Sequence, residues 1–102
     1  MLDSRIKFDE RYDSEEYQTT TLYFIAPKEM LKSMMVNNYP DAVSMEISIE
    51  FPTDHIEPRY ADVCISPTRY VEEADSYEDY DWYDIDLPYD EIEELIRLAE
   101  RN

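Results

Sequence analysis

The nine residues VSMEISIEF, 43–51, constrain this chain more than any other stretch. Val43, Met45, Ile47, Ile49 and Phe51 alternate with Ser44, Glu46, Ser48 and Glu50. Successive side chains leave a strand on opposite sides, so this period of two describes a strand with one buried face and one wet face. Two more stretches read the same way. YQTTTLYFI, 17–25, is β-branched and aromatic, and YADVCIS, 60–66, alternates around Ala61, Val63 and Ile65, with Pro67 expected to end it. A strand around Arg5–Phe8 is expected to pair with 17–25, and WYDIDL, 82–87, reads as a further strand with Tyr83, Ile85 and Leu87 on one side.

Helical spacing marks two segments. In APKEMLKSMMV, Pro27 suits a first helical turn, Met30, Leu31, Met34 and Met35 share one side, and Asn37-Asn38 mark the end. In PYDEIEELIRLAERN, Pro88 opens the segment and Ile92, Leu95, Ile96 and Ala99 form an apolar stripe. Its acids Asp90, Glu91, Glu93 and Glu94 come early and Arg97 and Arg101 late, as the helix dipole favours. The expected fold is α+β: a mainly antiparallel sheet of four to five strands with two helices on one face, in the order β-β-α-β-β-β-α. Residues 1–102 are expected to form a single acidic domain. Within it, 67–81 is left open between an ordered loop, a strand extension and a mobile acidic loop.

Glycine is absent from all 102 residues. Phosphate-cradling loops of the P-loop or dinucleotide type need it, as does the sharp turn of an EF-hand. Left-handed turn positions therefore fall to Asn or Asp, with Asn37-Asn38 a candidate. The single cysteine, Cys64, has no partner for an internal disulfide, which suggests a reducing, cytoplasmic setting. The opening MLDSRIKFDERYD lacks the apolar core of a signal peptide, and no stretch approaches membrane-spanning length.

Charge is the second constraint. The formal net charge is −17, with 26 acids against nine Lys and Arg. Residues 72–94 alone hold twelve acids and no base, leaving fourteen acids and nine bases, a net of −5, for the remainder. A balance of this kind excludes binding to nucleic-acid backbones or anionic membranes and points to a cationic partner. On an extended segment, carboxylates at i and i+2 stand about 6.5–7 Å apart on one face. Twelve such charges match those on about 20 Å of duplex DNA, or about six base pairs. Tyr70, Tyr77, Tyr80, Trp82, Tyr83 and Tyr89 interleave with the acids. Aromatic side chains dominate the energetics of many protein interfaces, although each ring taken singly also suits a core.

Other chemistries find little support. His55 and Cys64 form the one conceivable nucleophile pair, with no recognisable orienting group. With 26 acids in the chain, a carboxylate pair at catalytic spacing carries no information. Asp79, Asp81, Asp84 and Asp86 are hard oxygen donors, but alternation along a strand lays Asp84 and Asp86 side by side pointing away. No recognised loop spacing is present, and only weak, screening-type cation association is expected. No enzyme activity, cofactor or dedicated metal is expected.

In its charge profile over 72–94 and its overall size, the chain resembles phage-encoded DNA-mimic inhibitors, including anti-restriction and anti-CRISPR proteins; no motif carries the likeness. The resemblance implies that the protein acts in the cytoplasm of a bacterial host. It also implies occupation of the nucleic-acid groove of a basic nuclease, such as a Cas9-like effector or a restriction enzyme. Partner contacts are then expected at Glu72, Glu73, Asp75, Glu78, Asp79, Asp81, Asp84 and Asp86, with Tyr77, Tyr80 and Trp82 as anchors. Two alternatives stand beside it: an immunity protein or antitoxin that neutralises a basic toxin nuclease by nearly the same physics, and a non-inhibitory acidic partner-binding module for basic proteins whose 67–81 stretch orders on binding. Crowded carboxylates are also expected to repel one another, which should raise several of their pKa values in the folded state.

Overall fold

The computed structural model describes residues 2–34 and 39–102. Strands β1 (Lys7–Ser14), β2 (Thr19–Pro27), β3 (Ala42–Pro52), β4 (Asp62–Val71), β5 (Ser76–Asp79) and β6 (Tyr83–Ile85) form a six-stranded antiparallel sheet in an α+β fold. The sheet order is β1-β2-β3-β4-β5, and β6 also pairs with β4. A one-turn helix α1 (Met30–Ser33) follows β2, and α2 (Tyr89–Glu100) closes the chain.

Cross-strand register sorts the side chains into two faces. Leu22 lies opposite Ile49, and Phe24 opposite Ile47. Ile49 and Ile47 in turn oppose Val63 and Ile65. These residues are buried, as are Met45 and Phe51, and they form one core with Leu31 of α1 and Ile92, Leu95 and Ile96 of α2. Each fully buried aliphatic side chain contributes roughly 1.5–3 kcal/mol relative to leaving it in water. That burial, together with a hydrogen bond from the Leu2 amide to Glu94 (3.1 Å), holds the C-terminal helix across the sheet. Both helices contribute to this core, and the other face of the sheet stays open. No helix among the described residues is long and apolar enough to cross a membrane.

Several expectations are corrected by the backbone. The sheet has six strands rather than four to five, because 67–81 continues the sheet: β4 runs on to Val71, a 3-10 turn spans Glu72–Ala74, and β5 returns. Pro67 does not end the strand. Its carbonyl accepts from the Tyr80 amide (2.8 Å), so its N–H-less nitrogen faces the same side, where β5 gives way to β6. No ladder bond to β3 is lost there, since a strand residue's N and C=O point the same way. Pro27 ends β2 instead of opening a helix, and α1 is confined to Met30–Ser33. The Met35 and Asn37-Asn38 assignments lie outside the described residues. Positive φ falls to Asp75 (48°) in the β4–β5 turn and Gln18 (54°) in the β1–β2 turn. Pro88 precedes the first turn of α2 as its N-cap.

Two bulges alter the simple alternation. One interrupts β1 between Phe8 and Glu10, and another interrupts β3 between Ala42 and Ser44. The second exchanges the faces of its neighbours: Ala42 is buried, while Val43, expected inside with Met45, is 50% exposed.

Candidate functional site: an acidic open face

The open face is assembled from five strands. Register places Glu10 of β1, Glu46 and Glu50 of β3, Asp62 of β4, Asp79 of β5 and Asp84 of β6 on it, and Asp9 joins them from the β1 bulge. Tyr23 sits among them, opposite Glu10 across the β1–β2 ladder, with Glu46 and Glu50 on the neighbouring strand. Partial burial and those three carboxylates push its phenol above its ordinary pKa. Glu50 and Asp62 are direct cross-strand partners, a like-charge pairing that costs stability.

The bases lie elsewhere. Lys7 alone shares the open face, since it opposes Ile25 near the sheet's edge. Arg11 and Arg69 have the parity of the covered face, and they pair with Asp13 (3.2 Å) and Glu78 (3.2 Å) respectively. Arg5 precedes β1, Lys28 and Lys32 flank or lie in α1, Arg59 sits in the 3-10 turn packed against α2, and Arg97 and Arg101 lie at the end of α2.

Glu46 is the most perturbed carboxyl on this face, and it lies beside Asp79. The Thr68 hydroxyl donates to Asp79 (2.9 Å), and the Glu46 carboxyl approaches the same carboxylate from the far side of β4. Partial burial first, then the Asp79 carboxylate and the nearby charges of Asp9 and Glu10, push Glu46 up to about 7. The one carboxyl raised to about 7 thus lies in β3, outside the crowded 72–94 segment, and burial in the folded sheet is its largest cause, with neighbouring charge second. Asp84 has a different neighbour: it accepts from the Cys64 thiol (3.0 Å), and burial together with this carboxylate pushes the thiol up to about 11. Cys64 is thus a protonated structural donor at neutral pH. His55 rests against Tyr60 (4.7 Å between centroids) and faces Glu57, so the two candidate catalytic residues have separate partners.

The residues singled out along 72–86 divide by position. Glu72 and Glu73 sit in the exposed turn, and Asp75 accepts from the Tyr70 hydroxyl. Tyr77 and Asp79 face the open side, where Tyr77 tilts against Tyr70 (5.3 Å). Glu78 points the other way, to Arg69. The Tyr80 ring lies beside Tyr39 (4.8 Å) and under the Arg69 guanidinium (5.4 Å), and its hydroxyl donates to Asp41 (2.6 Å), which raises its pKa. Those contacts tie Tyr80 into the protein. Asp81, Trp82 and Asp86 are exposed along the β5–β6 edge. Among the described residues, no three His, Cys, Asp or Glu side chains gather as a metal site.

Sequence reasoning overlooked Asp9, Glu10, Glu46, Glu50 and Asp62. For Glu46 and Glu50 the signal was present, because they are the wet half of the strongest alternation in the chain. Their union with Asp79 and Asp84 depends on pairings made far along the chain. No protein-family model matches this chain, and neither the curated proteins nor the solved structures contain a match to it.

Proposed function

We propose that this protein is an acidic decoy for nucleic acid, occupying the phosphate-binding groove of a basic nucleic-acid-binding protein such as a bacterial nuclease of the Cas9-like or restriction type. One observation carries the reading: seven carboxylates from β1, β3, β4, β5 and β6 share the open sheet face with a single base, Lys7. Neighbouring strands stand about 4.8 Å apart and same-face residues along a strand about 6.5–7 Å, so the charges form a two-dimensional array. The edge acids Asp81 and Asp86 and the turn acids Glu72, Glu73 and Asp75 extend it around one side. Opposite potentials would speed encounter with Arg and Lys that normally hold phosphates, and the exposed rings of Tyr12, Tyr77 and Trp82 would add contact area.

Part of this charge also guards the sheet. Edge strands that carry charge resist pairing with other chains, and both β1 and the β5–β6 edge are rich in it. That role does not explain Glu46 or Glu50, which lie on an interior strand.

Competition tests the proposal. A bacterial nuclease captured on the immobilised protein should be released by duplex DNA and by rising salt. The variant Glu10→Gln/Glu50→Gln/Asp62→Asn/Asp84→Asn should lose most of its capture. Retention that ignores both DNA and salt, or full capture by that variant, overturns the reading.

A further inference from the structure

On the open face lies a groove of about 570 Å³ whose composition differs from its surroundings. Ile25, Val43 and Tyr77 line it and are 45%, 50% and 68% exposed. Asp9, Glu46 and Asp79 supply its carboxylates. Two of these residues arrive through backbone irregularities in different strands. Asp9 is the extra residue of the β1 bulge and Val43 that of the β3 bulge. Bulges re-aim side chains, and here two of them deliver an acid and an apolar wall to one place. A uniform phosphate imitation would need no apolar wall.

The geometry points to this groove as the receptor for one arginine side chain of a basic protein partner, its aliphatic stem lying on Ile25 and Val43 and its guanidinium on Glu46 and Asp79. Charge complementarity selects the occupant. An acidic groove with apolar sides suits a residue that is apolar along its stem and cationic at its tip. Arginine fits better than lysine, because its planar fork donates to two carboxylates at once and stacks on a ring such as Tyr77. Thr68 holds Asp79 by donating to it, which leaves the remaining lone pairs of the two acids for the guest.

Docking is linked to a proton. Around Glu46, β1 offers Lys7, Asp9 and Glu10, β2 offers Tyr23, β3 offers Glu50 and β5 offers Asp79 and Tyr77, while β4 contributes only Ser66 and Thr68. The balance is acidic, and Glu46 is about half protonated near neutrality. A guanidinium favours the ionised form, so binding releases that proton and strengthens as pH rises from 6 to 8.

The inference rests on the decoy reading only for the partner being basic. Its test uses the full chain and a blocked pentapeptide, alanine with a central arginine, followed by NMR titration beside its lysine and glutamine counterparts. Shifts should centre on Val43, Glu46, Tyr77 and Asp79. Arginine should bind more tightly than lysine, with affinity rising by roughly tenfold from pH 6 to 8. Glu46→Gln should abolish the pH dependence and weaken binding by about tenfold. Equal lysine affinity, shifts spread across the whole face, or the same pH dependence in Glu46→Gln would overturn it. The two readings fail separately. Capture of a nuclease that DNA competes away but that ignores Val43→Ser and Glu46→Gln removes the groove and leaves the decoy. Capture that depends on those residues but not on DNA removes the decoy and leaves the groove.

Discussion

Glu46 shows how one residue changes meaning between sequence and structure. In the sequence it is the polar half of an alternation, and any hydrophilic residue would serve. In the folded chain it is partly buried and lies near Asp79, Asp9 and Glu10, so its carboxyl is held at about 7 against an ordinary value of 4.5. A raised folded-state value means that the folded protein binds more protons than the unfolded chain between those two values. This stabilisation is fully present below about pH 4.5 and is lost as pH rises through about 7. Melting temperature should therefore fall between pH 5 and 8, and Glu46→Gln should show a shallower fall and a higher melting temperature at pH 8. Thermal melts across that range check it, and parallel curves for the two proteins would refute the assignment. Asp3 and Asp13 act at the other end. The Arg5 side chain and amide hold Asp3 low; the Thr20 hydroxyl and Arg11 do the same for Asp13, so their contribution appears above the ordinary carboxylate range and is lost as pH falls below it.

At the scale of elements, α2 and β3 were legible because their periods are unambiguous. The stripe Ile92, Leu95 and Ile96 is buried as its spacing requires, and Met45, Ile47, Ile49 and Phe51 fill the sheet's covered face. Leu95 is fully buried, so Leu95→Ala should leave a cavity beneath α2 and cost about 2–5 kcal/mol. Urea unfolding should register that as a lower midpoint with an unchanged slope. A loss below about 0.5 kcal/mol, the range of ordinary surface substitutions, would mean that the helix is not held by this contact. The elements that misled were those with proline. Pro67 and Pro27 read as boundaries on local grounds, but a strand tolerates proline wherever its missing donor faces no partner. Pro67 meets that condition only because β5 and β6 part beside it, a fact about neighbours distant in sequence. Val43 failed for a related reason, since a bulge depends on the partner strand.

For the molecule as a whole, charge is segregated rather than merely abundant. Acids crowd the open sheet face while most bases lie on the covered side, near the helices or in turns. Such a face repels itself, and added salt screens exposed charges over about 8–10 Å at moderate ionic strength. Raising sodium chloride from low to moderate concentration should therefore raise the melting temperature. The Glu10→Gln/Glu50→Gln/Asp62→Asn/Asp84→Asn variant should melt higher at low salt and respond less to salt. Differential scanning calorimetry checks both, and a melting temperature that drops on adding salt would contradict the self-repulsion. Greater stability coupled to lost capture would mark the uncompensated charge as kept for binding at a cost in stability.

The sequence by itself determined the α+β class, the buried and wet halves of β3 from Ser44 to Phe51, the apolar stripe of α2 and the acidic character of the C-terminal third. These follow from local periodicity and composition, which need no knowledge of neighbours. Only the tertiary structure decided which acids stand together. Strand pairing carries Glu10, Glu46, Glu50 and Asp62 to the face that also holds Asp79 and Asp84. The same pairing turns Glu78 away and ties Tyr80 to Asp41, Tyr39 and Arg69. Cross-strand contact joins residues dozens of positions apart, and no pattern within a single strand records which strand will lie beside it.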